Sequence, residues 1–180
     1  ARDDHMTTFG DVSSGRNNNF NLVRMIAATA VLVSHAYPIA LGAGTLEPMQ
    51  RWLDGTKLGT ASVYVFFVIS GFFITKSFDR GASRSRFVMA RVLRLYPGLL
   101  AILIVTVISA GFFLTTLDQR DVWAAAPAYI LNNLALYLTQ YGLPGVFQDQ
   151  PMPGVINGSL WTLFYEVVCY GGVFAMGLMG

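Results

Sequence analysis

Long stretches without charge constrain this chain more than any other feature. Between Lys57 and Lys76 lie 18 consecutive residues without a charged side chain, and 23 more run from Leu95 to Leu117. From Met25 to Leu46 no Asp, Glu, Lys or Arg occurs, and His35 is the one basic side chain there. At about 1.5 Å per residue, 18 residues make a helix of about 27 Å, enough to cross the hydrocarbon of a bilayer. A soluble fold of 180 residues needs a charged shell, yet charged residues are only 12% against 54% hydrophobic, about half the usual charged share. The chain therefore reads as an all-α integral membrane protein, a polytopic helical bundle with four to five transmembrane helices.

The segments expected are residues 20–41, 58–75, 95–117, 122–140 and 159–180. The fourth is interrupted by Pro127 and by Asn132-Asn133. Gly-rich stretches over 42–57 and 141–158 read as loops. Residues 1–19 are polar, carry an Asn17-Asn18-Asn19 run and read as a flexible tail; the stretch before Met6 is excluded as non-native or upstream sequence. The first apolar run is too long for a signal peptide and holds an Arg. The chain begins at Ala1 and stops at Gly180 inside an apolar run, which reads as a fragment: residues 20–180 form an incomplete membrane domain. The single cysteine, Cys169, rules out an intrachain disulfide.

Six of the 12 basic residues (Lys76, Arg80, Arg84, Arg86, Arg91 and Arg94) fall within 19 positions. The positive-inside rule puts that stretch, and with it the N-terminus, in the cytoplasm, and the loop 42–57 outside. The cell (inner) membrane is the expected location. If 122–140 crosses fully, the loop 141–158 is inside; if it is re-entrant, the loop is outside.

Three ionisable groups lie inside membrane segments: Arg24, His35 and Glu166. A charge at the bilayer centre costs roughly 2.5–3.5 kcal/mol on insertion scales, so such groups usually serve a purpose. Taken singly, each has a structural explanation: Arg24 snorkelling to the headgroups, His35 as a neutral packing residue, Glu166 tied to a polar neighbour. Arg24 and His35 are 11 positions apart, which returns to within about 20° of one helix face. Asn21 and Ala28 fall near that face, so it is expected to look toward other helices. Ser159, Thr162, Glu166 and Tyr170 share a face in the last segment. Two polar stripes suggest an internal polar cavity, in which a histidine transfers protons and a carboxylate orients or charge-balances it.

Arg91 and Arg94 share a helix face just before Leu95-Tyr96-Pro97. They can form a two-point anion site at the cytoplasmic interface, or serve as ordinary topology anchors.

These residues also carry a resemblance. Asn21-Leu22-Val23-Arg24-Met25-Ile26-Ala27-Ala28, with His35 eleven after the Arg, resembles the opening of the acyltransferase 3 family of membrane-bound acyltransferases. Phe66-Phe67-Val68-Ile69-Ser70-Gly71-Phe72-Phe73-Ile74 resembles its second-segment signature, and Arg91 to Pro97 its Arg-x-x-Arg motif. Asn157-Gly158-Ser159-Leu160-Trp161-Thr162-Leu163 with Glu166 resembles a later motif. The resemblance implies a helical domain of about ten segments, of which this chain covers the first half. It implies acylation of sugars, usually from acetyl-CoA, with an essential histidine matching His35 and an arginine matching Arg24. Two positions depart from the pattern: Ser62-Val63-Tyr64 stands where Gly-Val-Asp is often seen, and Asn21 where Asp is common. Ser70 and Gly71 are expected to serve tight helix packing.

The leading expectation is thus an O-acyltransferase moving an acyl group from acyl-CoA to a carbohydrate or glycolipid hydroxyl. His35 would be the base or acyl relay, Arg24 and Glu166 would shape its polar surroundings, and Arg91 and Arg94 would bind the donor phosphates. Two histidines are too few for the usual zinc set, and neither a phosphate loop nor a nucleic-acid surface is expected. The alternatives are a transporter using the same buried charges as an ion or proton path, and a non-catalytic partner or inactive fragment.

Overall fold

The computed structural model describes residues 19–52, 54–79 and 83–179. The tail expected over 1–19 falls, apart from Asn19, outside them. All the regular elements described are helical: α1 Phe20–Leu41, α2 Leu58–Asp79, α3 Arg84–Ser109, α4 Gln119–Leu134 and α5 Trp161–Met179. A short 3-10 turn, Pro48–Arg51, precedes α2, and a wide π-type turn, Ala110–Leu114, prolongs α3. Among the described residues, four helices are long and apolar enough to cross a membrane: Phe20–Leu41, Leu58–Phe78, Arg84–Leu114 and Trp161–Met179.

The helix ends follow from local chemistry. α1 stops where Gly42 takes a positive φ of 100° and returns its N–H to Pro38 O at 2.9 Å, a left-handed cap open to glycine without strain. α3 starts eleven residues before the uncharged run because Ser83 caps it, accepting the Arg86 N–H at 3.3 Å. Arg84, Arg86, Arg91 and Arg94 therefore ride on its first three turns. Asp118 caps α4 in the same way, accepting from Arg120 N at 2.9 Å.

The chain divides into two compact units. In the first, residues 19–36 and Leu46–Ile69, the buried side chains include Ala27, Ser34, Glu47 and Ser62. Gly59 is buried against Ser34: a Cβ there would lie 2.8 Å from Ser34 Oγ. Close helix approach at glycine is how membrane helices gain packing without a hydrophobic drive. In this unit Gly59 is thus tightly packed; in the second unit a Cβ on Gly71 would meet nothing within 4 Å among the described residues, contrary to the packing role expected for the Ser70-Gly71 pair.

In the second unit, Leu95, Leu99, Leu103 and Val107 recur every fourth residue along α3 and so form one ridge. Val122, Ala126 and Tyr129 of α4 cover it, with Leu136, Leu143 and Val146 closing the cluster. Trp123 lies over Gly111, where a Cβ would be 2.8 Å from its ring. A second cluster joins Ile74 of α2, Phe87 of α3 and Tyr170 of α5, with Phe78 and Phe174 against it. The Phe78 and Phe87 rings meet edge to face at 5.2 Å, a favourable aromatic geometry.

The segment 122–140 stood open between a crossing and a re-entrant excursion. Thr116 N donates to Gly145 O at 2.9 Å, Thr115 Oγ1 to Pro144 O at 3.1 Å, and Thr115 pairs with Val146. Thr115 and Thr116 sit immediately before α4, so the chain that leaves α4 at Leu134 is back beside its start by Pro144. The excursion ends where Asn133 Nδ2 donates to Tyr129 O at 2.8 Å and to Gln140 O at 3.0 Å. The Asn pair is thus the device that turns the chain back. The chain thus doubles back after α4, which with 16 residues spans only about 24 Å.

Candidate active site

His35 lies 15 residues beyond Phe20, about 22 Å along α1. Its Nδ1 is 2.8 Å from Val31 O, one turn back. A carbonyl oxygen only accepts, so in the neutral ring Nδ1 carries the proton and Nε2 keeps its lone pair. That is the tautomer a general base needs. The ring is exposed.

The polar stripe sits differently from its expected place. The buried residues of α1 are Ala27 and Ser34, whereas Asn21, Ala28 and His35 are exposed and Arg24 is half-buried. The packed face lies beside the stripe rather than on it. Ser34 Oγ donates to the buried Glu47 Oε1 at 2.9 Å. Sequence reasoning passed over Glu47, because a loop position carries no period; its one signal was being the only acid between Met25 and Asp54.

The stripe on α5 keeps its predicted alignment. Thr162 Oγ1 donates to Ser159 O at 2.8 Å, and the Tyr170 hydroxyl donates to Glu166 Oε1. Tyr170 is buried against Phe87 and Ile74 and lies in electrostatic reach of Arg94 and Arg91. Glu166, Tyr170 and the two arginines are therefore grouped in the second unit, while Arg24 and His35 belong to the first. Arg91 is half-buried: its guanidinium carbon lies 3.9 Å from the Phe87 ring centroid and Nη1 donates to Phe87 O at 3.3 Å. Arg94 is exposed. One arginine is thus held by a cation–π contact, and the other is free to swing.

Asn157 ties the later motif into the second unit. Its Nδ2 donates to Thr106 Oγ1 at 2.9 Å and to Tyr129 OH at 3.1 Å. Burial pushes the Tyr129 phenol up from its ordinary value, so it stays protonated and polar without charge. The sequence marked this motif without a role; the structure makes Asn157 the clamp that joins α3, α4 and the entry to α5.

The sequence profile of the acyltransferase 3 family, described as an acyltransferase domain, matches residues 17–178. The chain belongs to this family. It is 33% identical over 170 residues to the "Nodulation protein 10" of Rhizobium leguminosarum bv. viciae, covering 88% of this chain and 43% of that one. It is 32% identical over 155 residues to the "O-acetyl transferase" of Shigella phage Sf6, covering 86% of this chain and 44% of that one. The chain thus spans less than half the length of these relatives. No solved structure matches it.

Proposed function

We propose that the complete protein is a cell-membrane O-acyltransferase that moves an acyl group, acetyl in the simplest case, from acyl-CoA to a carbohydrate hydroxyl. The observation that carries this reading is His35, with Nδ1 turned to Val31 O and Nε2 left to accept. Nε2 takes the hydroxyl proton as the oxygen attacks the thioester carbon. The tetrahedral intermediate expels CoA thiolate, which receives that proton, leaving an ester and free thiol. Arg24, about three turns away on the same helix, shapes the polar surroundings of the site. Family membership and the O-acetyl transferase relative support the reading. The test is thiol release from acetyl-CoA by the purified full-length protein with carbohydrate acceptors. Thiol release that never depends on an acceptor would overturn it.

Arg91 and Arg94 fit the donor's phosphates, with Glu166 and Tyr170 setting the charge balance beside them. Arg94→Ala is expected to raise the KM for acyl-CoA about tenfold, as loss of one charge-assisted contact implies, with kcat little changed. Arg94→Lys restores the charge but not the planar fork, so its KM should fall between the two. Titration of acyl-CoA against the variants checks this; an unchanged KM leaves Arg94 as a topology anchor.

The six basic residues support a cytoplasmic position for 76–94, and for the N-terminus with it. On this reading α4 doubles back without crossing, and the loop 141–158 lies outside. A cysteine at Ser85, which leaves the Ser83 cap intact, is expected to resist an impermeant thiol reagent in intact cells once Cys169 is replaced by serine. Labelling at that position would reverse the topology.

A further inference from the structure

Glu47 is a buried carboxylate that the transfer chemistry above does not use. It is 4% exposed and opens the Pro48–Arg51 turn, where its backbone N–H donates to Gln50 Oε1 at 2.9 Å. A turn cap alone gives no reason for burial, since an exposed Ser, Thr or Asp caps as well. Burying a carboxylate costs several kcal/mol unless it is compensated. The compensation here is Ser34 Oγ, itself buried and donating at 2.9 Å. Ser34 is the residue next to His35. A Cβ on Gly59 would lie 2.8 Å from Ser34 Oγ and 3.8 Å from His35 Cε1. The serine hydroxyl and the imidazole thus flank one small space, kept open by a glycine.

We propose that Glu47 is a positioning residue for His35, its buried negative charge, anchored through Ser34, stabilising the imidazolium formed during acyl transfer. The inference rests on His35 being the base. Glu47 touches neither substrate nor the reacting atoms. Its charge acts by way of Ser34, whose hydroxyl borders the same space beside Gly59 as the His35 ring, and weakens with distance from the ring. The stabilisation grows as Nε2 takes the acceptor proton, so it is larger in the transition state than in the ground state.

The experiment compares Glu47→Gln, Glu47→Asp, Ser34→Ala and His35→Ala in the full-length protein with acetyl-CoA and a carbohydrate acceptor. Glu47→Gln keeps the shape and the acceptor for Ser34 Oγ but deletes the charge. Its kcat is expected to fall about tenfold or more with both KM values unchanged, the mark of an interaction stronger in the transition state. Glu47→Asp should recover part of the rate. Ser34→Ala keeps the charge but frees the carboxylate, and should show a smaller loss in kcat. A merely structural anchor would leave Glu47→Gln near the native rate, and that result overturns the proposal while His35→Ala remains inactive. If Glu47→Gln fails to accumulate in the membrane, Ser34→Ala decides, and a native kcat there overturns the proposal. An active His35→Ala removes the base reading, and the role of Glu47 falls with it.

Discussion

His35→Ala in the full-length protein is expected to abolish acyl transfer while leaving the protein in the membrane. Loss of a general base removes on the order of 10²–10⁴ in rate, enough to bring turnover near background. The fold should be nearly indifferent. The ring is exposed, and it bonds to a carbonyl of its own helix, Val31 O at 2.8 Å. Replacing a polar ring by methyl makes α1 more apolar, which favours insertion rather than opposing it. Ser34 remains on Glu47, so the turn at Pro48 keeps its anchor. The measurement is acceptor acylation together with CoA thiol release, with the amount of protein in detergent extracts as control. Normal acylation by the variant would sink the assignment of His35.

Gly142→Ala is expected to disrupt the return of the chain after α4, with a destabilisation of at least about 2 kcal/mol. A Cβ at Gly142 would overlap the Gly154 carbonyl oxygen and stand 3.1 Å from its carbon. Backbone, not a flexible side-chain tip, occupies the space, so relief requires moving the chain. Two bonds on either side resist that movement: Ile156 N to Tyr141 O at 2.9 Å and Gly154 N to Phe147 O at 3.1 Å. Asn157 follows directly, and its grip on Thr106 and Tyr129 fixes the entry to α5. The variant should therefore show faster proteolysis within 141–158 and a lower unfolding temperature in detergent. Native protease resistance would mean that the two strands of this loop are not packed as described.

What the sequence by itself determined is what periodicity and charge determine. Uncharged runs set the number and approximate place of the helices, because an apolar helix of sufficient length is the one open-chain structure whose backbone is satisfied inside lipid. The fourth segment, with Pro127 and the Asn132-Asn133 pair, was legible only as an interruption. Spacing placed Arg24 with His35 and Glu166 with Tyr170, since residues on one helix share a face by geometry alone. Spacing does not say which face packs. On α1 the packed face proved to be that of Ala27 and Ser34, because Gly59 offers its bare backbone to Ser34. The doubling back after α4 rests on Thr115 and Thr116 meeting Gly145 and Val146, some thirty residues away in the chain. The burial of Glu47 rests on a hydrogen bond from a helix 13 residues earlier. Neither contact leaves a period in the sequence. Hydrogen bonds between distant segments depend on where folding brings their ends, and only the tertiary structure decides that.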